Sequence, residues 1–240
     1  MDEHIEDIKK DLRQGADTEK AAFLPHFFKP EDSSKDIFLG VTVPKQRIIT
    51  RRYYKVISPK DVERLLHSVV HEERLTALMI WVLQFKAGDD SMRRQVYELY
   101  LSNTQWINNW DLVDCSARDI VGGYLFDRDK GVLTTLASSD NVWERRIAII
   151  ATFFFIQNNQ YDWTLRLAEQ LMNDTHHYIH KATGWMLREM GKRDEQLLRS
   201  FLDTYAPTMP RTELRYAIEK FNAQDRAHYL LLKNKTNQNK

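Results

Sequence analysis

Apolar residues recur at three- and four-residue spacing along most of the chain, the pattern of helices with one buried face. "HEERLTALMIWVLQF" (71–85) is so rich in apolar positions that it predicts a helix buried nearly all round. "NNWDLVDCSARDIVGGYL" (108–125), "DNVWERRIAIIATFFFI" (140–156), "HHYIHKATGWMLREM" (176–190) and "PRTELRYAIEKF" (210–221) follow at similar intervals. Shorter amphipathic segments lie between them: "SMRRQVYELYL", "GVLTTLA", "WTLRLAEQLM" and "DEQLLRSFLDTY". Ser58, Pro59 and Asp61 stand as N-cap, first helical position and third, a helix start at "SPKDVERLL". Residues 2–28 read as one or two helices, with breaks near Gly15 and Pro25. "KPEDSSKD" (29–36) reads as a polar loop. "IFLGVTVPKQRII" begins extended, because the residue before Pro44 avoids helical geometry, and turns helical near that proline.

Two helices per step of 32–40 residues fit stacked helix pairs. One register takes Arg74, Asp114, Arg146, Lys181 and Arg215 as equivalent; the alanines that follow (Ala77, Ala117, Ala148, Ala182, Ala217) drift by a residue or two. Only 8 glycines and 6 prolines punctuate 240 residues, which argues against a turn-rich β fold. The expected fold is all-α: a right-handed α-solenoid of HEAT-like helical repeats, forming a single domain over 1–230 with a polar tail at 231–240.

Charge narrows the function classes little. The formal net charge is +1, so global charge points to no nucleic-acid partner, while a local basic patch stays possible. Such patches occur early in the expected helices: "PKQR" with Lys45 and Arg47, "TRRYYK" with Arg51, "ERR", and "HK" with Lys181. If these helices stack in parallel, their N-terminal ends and cations line one side, a groove suited to phosphates. Cys115 is the single cysteine, so no internal disulfide forms, which suits a reducing cytosol. The charged start "MDEHIEDIKKDL" lacks a signal peptide's apolar stretch, and no apolar run nears the ~20 residues of a membrane span. A soluble, cytoplasmic protein is expected.

Candidate chemistry centres on "WINNWDLVDC". Trp110 and Asp114 are four residues apart and share a helix face. Asp114 has Arg118 four residues on as an ordinary surface partner, Asp111 suits the positive end of the helix, and Asn108 or Asn109 is the cap. Arg145 and Arg146 point about 100° apart, so one can face solvent while the other faces a groove. Gly184, beside Trp185, costs about 1 kcal/mol in a helix interior, which implies close approach by a neighbouring helix or a ligand. His67 and His71, and His176 and His180, have chelating spacing, but no third ligand accompanies either pair, and no metal or cofactor is expected. Cys115 is a poor nucleophile beside Asp114, since a carboxylate disfavours the thiolate.

Taken together, "FLGVTVPKQR", "NWDLVD" (109–114), "WERRIAI" (143–149), "HKATGWMLREMGKR" (180–193) and "MPRTELRYAIEKF" resemble, in order, the AlkD-type DNA alkylation-repair glycosylases, a HEAT-like repeat family. The resemblance covers about residues 20–225. It implies that Trp110 and Asp114 are the tryptophan and catalytic aspartate of the family's W-D-x-V-D motif. It also implies that Arg146 accompanies that aspartate, that Trp185 is the second cleft tryptophan, and that Arg188 lies near the DNA backbone. Where active members carry a tyrosine near the DNA, this chain reads "HFFKP", with Phe27. The implied reaction is excision of cationic N3- and N7-alkylated purines from double-stranded DNA by a monomer, leaving an apurinic site. Two other functions stay open: a non-catalytic member that binds damaged or branched DNA, and a protein-binding scaffold, a common use of α-solenoids.

Overall fold

The computed structural model describes residues 3–28 and 36–232. Most of the loop expected at 29–36, and the tail from 233 on, lie outside the described residues. The described residues are helical, with one isolated bridge between Ile37 and Val70. No described helix is long and apolar enough to cross a membrane. The chain falls into two compact units that divide between Tyr124 and Leu125.

The first unit holds α1 (Glu3–Gln14), α2 (Thr18–Phe23), α3 (Val43–Tyr53), α4 (Pro59–Leu66), α5 (His71–Ala87), α6 (Asp90–Ser102) and α7 (Trp110–Asp114). A 3₁₀ turn at Leu24–Phe27 follows α2, with Pro25 in its first turn. Helix α5 is the hub: α3, α4 and α6 all pack against it. It is buried nearly all round, as its composition predicts, and Trp81 at its centre is fully buried with its indole N–H on the Pro59 carbonyl at 3.1 Å. Burial of such a side chain stabilises by about 1.5–3 kcal/mol.

The start of α5 breaks the apolar rule. His71, Glu72, Glu73 and Arg74 are all buried, so each needs partners. Glu72 finds backbone amides: its carboxylate accepts from Leu39 (3.1 Å), Gly40 (2.8 Å) and Val41 (3.3 Å). Gly40 sits at φ +79°, where a β-carbon would fall 2.0 Å from the Asp17 carbonyl oxygen, so glycine is required. That packing explains the "FLGV" stretch: it wraps a buried glutamate side chain before Thr42 turns extended and α3 begins with proline in its first turn.

The second unit holds α8 (Gly131–Ala137), α9 (Val142–Gln157), α10 (Asp162–Gln170), α11 (His177–Gly191), α12 (Glu195–Tyr205), α13 (Arg211–Ala217) and α14 (Ala223–Leu231). Here α9 packs on α11 and α11 on α13, while α8 packs on α10. Next-but-one contacts of this kind are those of stacked helix pairs.

The structure corrects the register by one residue. Arg74 Nη1 bonds back to the carbonyl of Ser68, six residues earlier, at 3.0 Å. Arg145 does the same to Ser139 at 2.8 Å, and His180 Nε2 lies 2.5 Å from the Asp174 carbonyl. These three are the true equivalents. The position after them holds Leu75, Arg146 and Lys181, which aligns with Asp114 and Arg215. Two residues further on stand Ala77, Ser116, Ala148, Thr183 and Ala217, none more than 1% exposed. Small side chains therefore hold this position throughout, with Ala117 and Ala182 still one residue to either side of it.

Candidate active site

Asn109, fully buried, caps α7 by accepting the Trp110 N–H at 2.9 Å. Of its five residues, Leu112 and Val113 enter the core. Trp110, Asp111 and Asp114 turn instead to a pocket of about 760 Å³. Its other walls come from α3 (Val43, Arg47, Thr50, Arg51), α5 (Leu75, Met79, Val82, Leu83, Lys86) and the N-terminal turn (Leu24, Phe27, Phe28). After α7 the chain widens into a π-helical turn at Arg118–Gly122, and from it Arg118 and Asp119 both reach the pocket. Such turns are frequent at functional sites.

The pocket is apolar along its walls and charged at a few points. Trp110 donates its indole N–H to the Phe27 carbonyl at 3.3 Å and lies against Phe28, ring centroids 5.8 Å apart. Phe27 is 57% exposed, which leaves its ring available to an occupant. Asp114 is half-buried. Asp119 is buried and receives Arg118 (2.8 Å) and Lys86 (3.0 Å). Arg47 and Arg51, one turn apart, are exposed at the rim and have no hydrogen bond or ion pair among the described residues. Cys115 also lines the pocket; burial, helped by Asp111 and Asp114, pushes its thiol far up, so it is inert.

Five of the expected residues thus meet in one place: Phe27, Arg47, Arg51, Trp110 and Asp114. Lys45 does not join them; its amine sits 3.3 Å from the Gly15 carbonyl. In the second unit, Arg146 is buried with Nη1 on the Tyr178 carbonyl at 2.6 Å, tying α9 to α11. Arg145 is held by Asp174 at 2.6 Å and by two loop carbonyls, so neither arginine of the pair is a solvated cation. Lys181 is half-buried. Trp185 is half-buried, donates to Glu189 at 3.1 Å and meets Phe153 edge-on at 5.8 Å. Arg188 bonds Glu219 and Glu189. Gly184 marks close helix approach, α13 being its neighbour.

The histidine pairs do other work. His67 Nε2 is 2.6 Å from Asn103 Oδ1, and His176 caps α11. His71 packs beside the stacked rings of Phe28 and Phe38, 5.0 Å from each, and bridges Asp36 and Asp111. Among the described residues no group of three or more His, Cys, Asp or Glu side chains is arranged to hold a metal ion. Periodicity missed His71, Asp36, Lys86 and Asp119. The available signal was four ionisable residues opening an otherwise apolar helix.

The family described as DNA alkylation repair enzyme matches residues 8–221. No curated protein matches the sequence. Among solved structures, the chain resembles a predicted DNA alkylation repair enzyme from Enterococcus faecalis, at TM-score 0.67 and 15% identity, over 87% of this chain and 97% of that one. It also resembles AlkD2 from Streptococcus mutans, at TM-score 0.55 and 16% identity, over 76% and 91%. A third match is smu.31 from Streptococcus mutans UA159, at 0.53 and 16%, over 75% and 92%. At these identities the likeness concerns the fold.

Proposed function

The chain belongs to the DNA alkylation repair enzyme family, and from that premise we propose that it is a DNA glycosylase acting on cationic N3- and N7-alkylated purines in duplex DNA. The observation that carries the proposal is the pocket where Asp114 and Trp110 stand with Arg47 and Arg51 at its rim. An alkylated purine already bears the positive charge that weakens its glycosidic bond. The base leaves neutral and needs little acid; positive charge passes to the sugar, which becomes oxocarbenium-like. A carboxylate fixed beside that sugar stabilises the developing cation, and such a group supplies ~2.7–4 kcal/mol. Asp114 fills this role and orients the attacking water.

Trp110 offers its ring face to the cation, a contact of about 0.5–2 kcal/mol. Phe27 adds apolar surface where the resemblance places a tyrosine. Arg47 and Arg51 take phosphates of the backbone. Trp185, Lys181 and Arg188 belong to the second unit; their contact with DNA is part of the proposal by resemblance alone. The protein is proposed to work as a cytoplasmic monomer.

Duplex DNA carrying 7-methylguanine or 3-methyladenine tests this directly. Base release well above the spontaneous rate is expected; release at the spontaneous rate by folded protein would sink the proposal. The largely apolar lining of the pocket favours one second function, a non-catalytic member that binds damaged or branched DNA. It predicts salt-dependent binding with no release.

A further inference from the structure

The buried start of α5 carries an ion cluster that the proposed chemistry does not use. The His71 side chain is 4% exposed. Its Nδ1 lies 3.0 Å from Asp36 Oδ2 and its Nε2 2.7 Å from Asp111 Oδ2. An ionised carboxylate only accepts hydrogen bonds, so each ring nitrogen must carry a proton, and only the imidazolium has both. Arg74 donates to the same Asp36 oxygen at 2.6 Å. Two carboxylates and two cations therefore close a neutral cluster. A neutral imidazole would turn a lone pair toward one carboxylate and leave a buried charge poorly compensated.

The cluster reaches the site through two routes. Asp111 belongs to the first turn of α7, and its other oxygen accepts the Leu112 N–H at 2.9 Å. Phe28 touches both rings, at 5.0 Å from His71 and 5.8 Å from Trp110. We propose that His71 is a positioning residue: as an imidazolium it ties Asp36 to Asp111 and so fixes the one-turn helix that presents Trp110 and Asp114 to the pocket.

The charged groups facing the ring are Asp111 from α7, Asp36 from the segment before Gly40, and Arg74 from α5 itself. Burial opposes the charge most strongly. The Asp111 charge and the hydrogen bonds to Asp111 and Asp36 outweigh it, with Arg74 against, and the group is pushed up to about 9. Because the folded value is raised, the stabilisation is fully present below the ordinary histidine value near 6.5 and is lost as pH rises through about 9.

The proposal rests on the glycosylase function only for its consequence, and its test needs no DNA. In ¹⁵N-labelled full-length protein, both His71 nitrogens are expected to be protonated at about pH 7.5, with deprotonation centred near pH 9. The Trp110 indole N–H signal should move with the same midpoint, a coupling that mere packing would not give. Asp111→Asn should lower the midpoint by about one unit or more. A singly protonated ring at neutral pH, or a Trp110 signal fixed through the His71 titration, overturns the proposal. His71→Gln should displace the Trp110 signal at neutral pH; if that variant does not fold, the wild-type titration decides alone. A silent base-release assay leaves these readouts intact.

Discussion

A β-carbon on Gly184 would lie 2.4 Å from the backbone oxygen of Glu213 and 2.6 Å from Tyr216 Cβ. The backbones of α11 and α13 come together at this point, with the Tyr216 β-carbon beside them, and the glycine is what permits it. In an exposed helix Gly→Ala stabilises by about 1 kcal/mol. Here the added methyl must push the helices apart, and overpacking of this kind costs about 1–3 kcal/mol. Gly184→Ala is expected to lower the urea midpoint, without a change in slope. An unchanged or higher midpoint would mean that the two helices yield easily.

Glu213 itself is fully buried, and neither carboxylate oxygen has a hydrogen-bond partner among the described residues. Burial, with the Asp174 charge, pushes its carboxyl up to about 8. Since the folded value exceeds the ordinary one, the stabilisation of the neutral form is complete below about 4.5 and is lost as pH rises through 8. Glu213→Gln removes the titration. Its Tm should match the parent near pH 5 and exceed it by several degrees at about pH 8.5, each kcal/mol being worth about 2–4 °C in a chain of this size. Equal pH dependence in parent and variant would exclude a buried neutral carboxyl.

These two residues mark where the chain is legible from its letters and where it is not. Gly184 announces close approach by its helix penalty alone. Ser58 is legible as a cap because the cap is local, and it accepts the Asp61 N–H as expected. Glu213 is silent: a glutamate early in a helix looks like a surface residue until α11 is laid over it. Arg74 looks like a groove cation because periodicity cannot see a side chain that folds back on its own loop. His71 reads only as a chelator, since its partners lie 35 residues before it and 40 after. In the site, four-residue spacing is enough to set Trp110 and Asp114 on one face. The apolar wall opposite them is not legible, because Leu75, Met79, Val82 and Leu83 read as core until the structure leaves a cavity against them.

In the proposed function, Arg47 and Arg51 set affinity by holding phosphates. Both guanidinium groups stand at the pocket rim without a carboxylate partner among the described residues, so replacing them strands no buried charge. Each alanine variant should bind duplex DNA more weakly, and equally so for damaged and undamaged sequences. The salt dependence, log affinity against log salt, should flatten by about 0.9 for each phosphate that is no longer neutralised. Lys45→Ala, whose amine rests on the Gly15 carbonyl, should change the slope less. Slopes identical to the parent in both arginine variants would remove the rim from the DNA interface.

If Asp114 acts as proposed, Asp114→Asn separates catalysis from binding. The amide keeps the shape of the side chain and its place on α7, but carries no charge to meet an oxocarbenium ion. Loss of one preorganised electrostatic group lowers the rate by about 10²–10³, while duplex affinity, which depends on the phosphates, should stay within about twofold of the parent. Single-turnover release of 7-methylguanine, measured beside a filter-binding titration, gives both numbers. A variant that binds tightly and still releases base at the parental rate would show that the carboxylate is not the stabilising group. A variant that loses both together would show instead that Asp114 holds α7 in place.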